Sequence, residues 1–256
     1  MNGKRLQRIL ITNDDGIDAP GLAVLEEVAQ PLADEVWVVA PDHDQSGISH
    51  ALSLHHPLRV TRRGERRFSV SGTPADCVAI GLRQLLEEPP QLLLSGVNKG
   101  GNLGVETMFS GTVGAAMAGL LLGVPSIALS QYFTRRDAVR WDTARALAPD
   151  AIRQLLALDW AGAVCMNVNF PDVPAERAAP LRITRQGKGR MQGLTITGRT
   201  DVRDQDYYWL NIHRDQVDDY EDSETAVVLS GGVSATPLRF ERTDREVMAR
   251  LQEQLS

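Results

Sequence analysis

The sequence predicts an α/β protein with a Rossmann-like, doubly wound and mostly parallel sheet. Short apolar runs alternate with helical patterns between residues 8 and 171, and this alternation favours parallel strands joined by helical crossovers. The apolar runs are nearly continuous, as in strands covered on both faces. Hydrophobic residues make up 43% of the 256 residues, which is enough to cover such a sheet on both sides.

The first β-α-β unit is predicted near the N-terminus. The run RILITN at 8–13 predicts a strand, and EVWVVA at 35–40 predicts a second. Between them, residues 20–33 place apolar side chains on one helical face. Asp18 is the predicted N-cap of this helix, and Pro20 suits its first turn.

The next elements continue this alternation after one polar interruption. Residues 41–73 are polar and rich in turns, and we expect a small hairpin inserted in the sheet there. The elements predicted after it are a helix at 74–86, a strand at 91–96, a glycine-rich loop at 96–111, a helix at 112–123, a strand at 125–130, a helix at 141–158 and a strand at 163–171.

The chain divides by its sequence character into a catalytic core at 1–171 and a C-terminal portion at 172–256. Within the C-terminal portion, 225–240 predicts two short strands around a Gly-Gly turn, and 243–256 predicts a final helix. The rest is polar and extended. An extended arm has no core of its own, so we expect it to pack on a neighbouring subunit.

Composition excludes several classes of protein. The formal net charge of −6 predicts no broad basic surface, so we expect no nucleic-acid partner. Cys77 and Cys165 lie in apolar surroundings and are predicted to be buried free thiols. The first residues lack a secretory apolar region, and the longest apolar stretch, at 115–129, is interrupted by glycine and proline. We therefore expect a soluble cytoplasmic protein without a membrane partner.

Polar side chains follow three of the predicted strands. Asp14 and Asp15 come after the first strand, Ser46 after the second and Asn98 after the strand at 91–96. The carboxyl ends of parallel strands share one edge of the sheet, where ligands bind. These oxygen ligands suit Mg²⁺, Mn²⁺ or Ca²⁺, and a cation would offset the repulsion between the two aspartates. An ordinary Asn-Asp-Asp-Gly turn is the alternative interpretation.

Ser110, Gly111 and Thr112 open a helix of small residues. A helix N-terminus presents unpaired N–H groups and partial positive charge, so it can bind phosphate. A plain N-cap is the alternative. The string is not a Walker A loop, and the absence of G-x-G-x-x-G after the first strand argues against a dehydrogenase.

Five segments, taken together, resemble a known family. ITNDDGIDAPGL, APDHDQSGISHALS, SGTPADCV, SGVNKGGNLG and FSGTVGAAMAG are similar, in the same order, to the signature segments of the SurE survival-protein family. The resemblance is strong over residues 8–130 and weaker beyond. It implies a metal-dependent phosphatase that hydrolyses nucleoside 5′- and 3′-monophosphates and, in some members, short polyphosphate.

The resemblance also implies roles for individual residues. One divalent cation per subunit, Mg²⁺ or Mn²⁺, would be held by Asp14, Asp15, Ser46 and Asn98, with the two aspartates as the catalytic residues. Contacts with the substrate phosphate would come from Asn102, Ser110, Gly111 and Thr112. Members are homodimers or homotetramers that exchange a C-terminal arm. The sequence departs from the family at Gly232, where an aromatic residue is more usual.

The residues leave the reaction itself open in three ways. One aspartate, with Asp15 preferred, would orient the attacking water, but a covalent aspartyl-phosphate is an alternative. A non-catalytic module that binds a metal–nucleotide complex is a second alternative. A Rossmann-like phosphotransferase with a nucleotide donor is a third, and metal-dependent release of phosphate without a second substrate would separate hydrolysis from both.

Overall fold

The computed structural model describes residues 5–215 and 219–255. Its strands are β1 (Leu6–Thr12), β2 (Ala33–Pro41), β3 (Val60–Arg62), β4 (Arg67–Val70), β5 (Leu92–Lys99), β6 (Ser126–Gln131), β7 (Cys165–Phe170), β8 (Ala179–Ile183), β9 (Met191–Thr200), β10 (Asp206–Arg214) and β11 (Gly232–Leu238). Its α-helices are α1 (Pro20–Ala29), α2 (Pro74–Ile80), α3 (Gly111–Leu121), α4 (Trp141–Leu156), α5 (Glu224–Leu229) and α6 (Arg245–Leu255).

Nine strands form the main sheet in the order β3-β4-β2-β1-β5-β6-β7-β11-β8. The strands from β4 to β7 in this order are parallel to one another, whereas β3 and β11 run antiparallel to β4 and β7. The chain moves outward from β1 to β2 and β4, then returns to the other side of β1 as β5. The switch point therefore lies between β1 and β5, where open α/β sheets bind ligands. The predicted doubly wound, mostly parallel sheet is confirmed.

Helices cover both faces of the sheet, and β1 shows how its sequence serves both. Ile9 and Ile11 are fully buried in the cluster under α1 and α4. Leu10 is fully buried in the opposite cluster, under α2 and α3. Successive side chains of a strand point to opposite faces, so a continuous apolar run supplies two cores at once. The sheet edge at the end of β1 is thereby fixed from both sides.

Some predicted elements have different bounds in the structure. The small hairpin expected within 41–73 is confirmed: β3 and β4 pair with each other, and β4 extends the sheet beside β2. Helix α2 ends at Ile80, and a short π-helix follows it over Gly81–Leu85. Strand β5 extends to Lys99, into the predicted glycine-rich loop.

Two local predictions are wrong. The first half of 225–240 is the helix α5 rather than a strand, because Ser223 accepts a hydrogen bond from the N–H of Ala226 and so caps a helix. This cap outweighs the strand preference of the β-branched residues that follow. Asp18 is not the N-cap of α1: the cap is Ala19, without a side-chain hydrogen bond, and Pro20 occupies the first turn as expected.

The C-terminal portion contributes to the main sheet and also extends away from it. Strands β8 and β11 belong to the nine-stranded sheet, whereas β9 and β10 form a separate antiparallel hairpin. The terminal helix α6 is confirmed and buries none of its residues. The division into 1–171 and 172–256 stays a prediction. Exposed apolar side chains of the hairpin include Leu194, Ile196, Tyr208, Trp209 and Leu210.

Two further predictions can be compared with the described residues. Cys77 and Cys165 are both free and buried, as expected. Over 5–215 and 219–255, none of the helices combines the length and the hydropathy that a membrane crossing requires.

Candidate active site

Asp14 lies just beyond β1, at the switch point, and is only 4% exposed. Burial raises the pKa of its carboxyl group to about 6, although hydrogen bonds from the hydroxyl and the backbone N–H of Thr112 oppose the shift. Gly111 lies directly against the same carboxylate, since a Cβ placed on it would come within 2.8 Å of the Cβ of Asp14. The start of α3 and the end of β1 are therefore in direct contact.

Asp15 points toward the neighbouring strand end. The backbone N–H of Lys99, the last residue of β5, donates to its Oδ2 at 3.2 Å. Burial raises the pKa of Asp15, the charge of Asp44 raises it further, and Lys99 opposes the shift. A cation bound between these two carboxyl groups would stabilise their ionised forms.

The loop after β2 reaches the same place. The N–H of Gln45 donates to the backbone oxygen of Asp14 at 2.7 Å, which ties this loop to the end of β1. Within the loop, Asp44 Oδ1 accepts hydrogen bonds from the N–H of Ser46 at 2.8 Å and from its Oγ at 2.6 Å. The hydroxyl of Ser46 is exposed at the edge of the cleft.

Asn98 and Asn102 come from the segment that ends β5. The side-chain nitrogen of Asn98 donates to the backbone oxygen of Gly100 at 2.9 Å, which leaves its amide oxygen as an acceptor. Asn102 is buried and its nitrogen Nδ2 donates to Ser130 Oγ at 2.8 Å. The backbone N–H of Asn102 donates to Asn169 Oδ1 at 2.8 Å, so β6 and β7 fix its position.

Ser110 is the N-cap of α3, and its side chain accepts a hydrogen bond from the N–H of Val113 at 3.0 Å. Ser110 lines the cleft. Gly111 and Thr112 are buried behind it, against Asp14. The hydroxyl and the backbone N–H of Thr112 donate to the carboxylate of Asp14, a contact that the sequence position of Thr112 does not reveal.

A cleft of about 590 Å³ brings together six of the eight residues singled out in the sequence, namely Asp14, Asp15, Ser46, Asn98, Asn102 and Ser110. Sequence reasoning missed the side chains that line the rest of the cleft, among them Glu106, Phe109, Tyr132, Phe133, Arg190, Met191, Ile212 and Arg214. The two aromatic residues after β6 follow a parallel strand end, so the rule that located the aspartates could also have found them. The hairpin residues carry no comparable signal.

The donor set fits a divalent cation. Asp14, Asp15, Ser46 and Asn98 supply carboxylate, hydroxyl and amide oxygens, which suit Mg²⁺ and Mn²⁺. The buried Oδ1 of Asn13, next to Asp14, has no hydrogen-bond partner in the structure. Within the described part of the chain, no three His, Cys, Asp or Glu side chains converge to hold a metal. A cation bound by these four residues would have two carboxylate groups and two neutral oxygens as ligands.

The fold and the cleft together define a Rossmann-like α/β protein with paired carboxylates and a helix N-terminus at its switch point. A family model described as "Survival protein SurE" matches residues 9–193. The chain belongs to the SurE family.

Its relatives include proteins similar over almost their whole length. A protein of Burkholderia lata named 5′-nucleotidase SurE 1 is 59% identical, and the match covers 97% of this chain and 96% of that protein. The 5′-nucleotidase SurE of Bradyrhizobium diazoefficiens is 48% identical, over 93% of this chain and 95% of that one. The crystal structure of SurE from Aquifex aeolicus superimposes with a TM-score of 0.81 at 34% identity, covering 97% of this chain and 100% of that chain.

Proposed function

We propose that this chain is a metal-dependent 5′-nucleotidase, which hydrolyses nucleoside 5′-monophosphates to nucleoside and phosphate. The observation that carries the proposal is the pair Asp14 and Asp15, held in one cleft beside the start of α3. Relatives at 59% and 48% identity that are named 5′-nucleotidases support the same activity.

Asp14, Asp15, Ser46 and Asn98 would hold one Mg²⁺ or Mn²⁺ ion. When bound, such an ion supplies Lewis-acid stabilisation of the phosphate charge and lowers the pKa of a bound water. The two carboxylates would bind it most strongly, because the positive charge offsets the burial and the like-charge repulsion that disfavour their ionised forms.

The chain's own groups would position the phosphate. The hydroxyl of Ser110 and the N–H of Gly111 lie at the positive end of α3, which favours an anion, and Asn102 would complete these contacts. Thr112 would act through Asp14, because its hydroxyl and N–H donate to that carboxylate. Asp15 would orient the attacking water. Phosphoryl transfer needs mainly such positioning and charge stabilisation.

We also propose that the protein forms a homodimer or homotetramer through its C-terminal arm. The supporting observation is the run of exposed apolar side chains on β9 and β10, which a single chain leaves uncovered. Sedimentation of wild type beside a Trp209→Ser, Leu210→Ser double variant tests this proposal. Both proteins sedimenting as monomers would contradict it.

The test of the activity is phosphate release from 5′- and 3′-monophosphates and from short polyphosphate. Protein stripped with EDTA receives Mg²⁺, Mn²⁺ or Ca²⁺ in turn, alongside the variants Asp14→Asn and Asp15→Asn. Asp18→Asn is the matched control, because this exposed carboxylate is nearby but outside the cleft. We expect release only with metal, and its loss in the two cleft variants alone.

Each alternative has its own outcome in this experiment. Nucleotide binding without release under any metal would establish the binding module instead. Release that requires a second nucleotide as donor or acceptor would indicate a phosphotransferase. Undiminished turnover in folded Asp14→Asn would show that the site is wrongly assigned.

A further inference from the structure

We propose that the base of the β9–β10 hairpin helps to bind the nucleoside half of the substrate, and so selects nucleotides over simpler phosphate esters. The inference rests on the proposed nucleotidase function and assigns the half of the cleft that this function leaves unexplained. The side chains concerned, here called the nucleoside wall, are Phe109, Tyr132, Phe133, Met191 and Ile212.

Two chemically different groups of side chains line the cleft, together with Arg136, Arg190 and Arg214, and the last two arginines are hydrogen-bonded to Tyr132 and Glu106. Asp14, Asp15 and the start of α3 form a charged and hydrogen-bonding side that suits a metal and a phosphate. The nucleoside wall is aromatic and aliphatic, and a phosphate gains nothing from it. Phe109 and Ile212 line the cleft yet are 43% and 38% exposed, so both present apolar area to a ligand. A ribose and a flat base can cover such area by packing and stacking.

The size of the cleft fits this division. Its volume of about 590 Å³ lies within the range of pockets that enclose whole small molecules, far beyond what one phosphate group occupies. A substrate whose phosphate lies beside Asp15 therefore has room for its remaining part along the nucleoside wall.

Hydrogen bonds to its neighbours hold the nucleoside wall in place. Arg190 Nη1 donates to the hydroxyl of Tyr132 at 2.7 Å, which joins the start of the hairpin to the segment after β6. Arg214 Nε donates to Glu106 Oε1 at 2.8 Å, which joins the end of the hairpin to the loop before α3. The ladder shifts register between His213 and Arg214, and this shift places Met191 opposite Arg214.

The buried side chain of Glu224 joins the segment just before the hairpin to the loop before α3. Glu224 is fully buried, and its two oxygens accept the N–H groups of Gly104 at 2.6 Å and Gly187 at 2.7 Å. Gly104 has a φ of +55°, and a Cβ on it would overlap the backbone of Gly189. The two segments therefore meet backbone to backbone. A surface fixed in this way binds with little ordering cost.

The test compares two phosphate esters, AMP and glycerol 2-phosphate, which share the phosphate but differ in the nucleoside. The quantity measured is the ratio of kcat/KM for AMP to kcat/KM for glycerol 2-phosphate, with Mn²⁺ present. We expect Phe109→Ala and Ile212→Ala each to lower this ratio about tenfold, mainly through KM for AMP. Stacking on an aromatic side chain and covering a branched aliphatic one each contribute on that order. Val105→Ala and Met108→Ala are matched controls, because both side chains are exposed on the same loop but outside the cleft.

The outcomes separate this inference from the function on which it rests. If wild type releases phosphate from both esters and the ratio stays within twofold in both variants, the inference is overturned and the nucleotidase stands. If wild type releases phosphate from neither ester, the proposed function fails and the inference fails with it. A ratio that falls equally in the control variants would show a general effect of the loop, which also overturns the inference.

Discussion

Asp14 should make the metal-free protein less stable at neutral pH, and Asp14→Asn should relieve this. The carboxyl group is buried and its pKa is raised to about 6, so its ionised form is unfavourable in the folded state. An asparagine keeps an oxygen acceptor for Thr112 and carries no charge. We therefore expect a variant without activity that is more stable than wild type when no metal is bound.

The magnitude and its sign follow from the shift. Between the ordinary pKa of 3.8 and the folded value of about 6, the folded protein retains a proton that the unfolded chain releases. The free energy of unfolding therefore falls as pH rises through this window and levels off above it. A shift of about two pKa units corresponds to about 3 kcal/mol. The free energy of unfolding of wild type should fall by this amount across the whole window, and that of the variant should not.

Urea unfolding of both proteins in EDTA, at pH 4.5 and pH 7.5, should show about 2 kcal/mol of this difference, because pH 4.5 already lies above the ordinary pKa of 3.8. The comparison removes the contribution of other titrating groups, because both proteins contain them. Adding Mn²⁺ at pH 7.5 should stabilise wild type, by about 2.7 kcal/mol at a concentration one hundred times Kd, and should have little effect on the variant. A variant that follows wild type at both pH values, or gains equally from Mn²⁺, would refute the reasoning about this carboxylate.

Two further predictions concern glycine and glutamate positions around the cleft. Gly111→Ala should lower kcat/KM for AMP by about a hundredfold, because the new Cβ displaces Asp14 and a misplacement near 1 Å costs about that much. Gly119→Ala is the control on the same helix: its Cβ would crowd Ser126 of β6, which should lower the melting temperature but leave kcat/KM unchanged. Glu224→Gln should destabilise the fold by about 1–3 kcal/mol and speed hydrogen exchange at Gly104 or Gly187, since the one amide oxygen can replace only one of the two acceptors. Unchanged exchange at both glycines would contradict the second prediction.

Much of the fold could be predicted because local pattern and tertiary packing agree along the first 171 residues. Continuous apolar runs such as RILITN can be accommodated only where both faces of a strand are covered. The helix α5 could not be predicted, since its cap at Ser223 and its β-branched residues point to opposite structures. Pairing of β8 with β11 depends on contacts distant in sequence, and no local pattern encodes them.

The acidic side of the cleft could also be predicted, because it obeys a general rule of open α/β sheets. Asp14 and Asp15 follow β1, and Asn98 lies at the end of β5, and the two parallel strands meet at the switch point. The part played by Thr112 could not be inferred, since a hydroxyl at a helix start serves equally well as cap, phosphate ligand or partner of a carboxylate. The structure shows the contact with Asp14, and the contact of Thr112 with the phosphate stays a prediction.

The hairpin combines two surfaces with different chemistry, whereas its sequence pattern predicts only an extended arm. Its base, near Met191 and Ile212, faces the cleft and is tied to it by hydrogen bonds. Its outer part, with Ile196 and Trp209, exposes apolar area and lies outside the cleft. A subunit contact at the outer part would leave the base free for the substrate. The proposed oligomer and the proposed nucleoside wall therefore use different ends of one hairpin, and a substitution at either end tests one proposal without deciding the other.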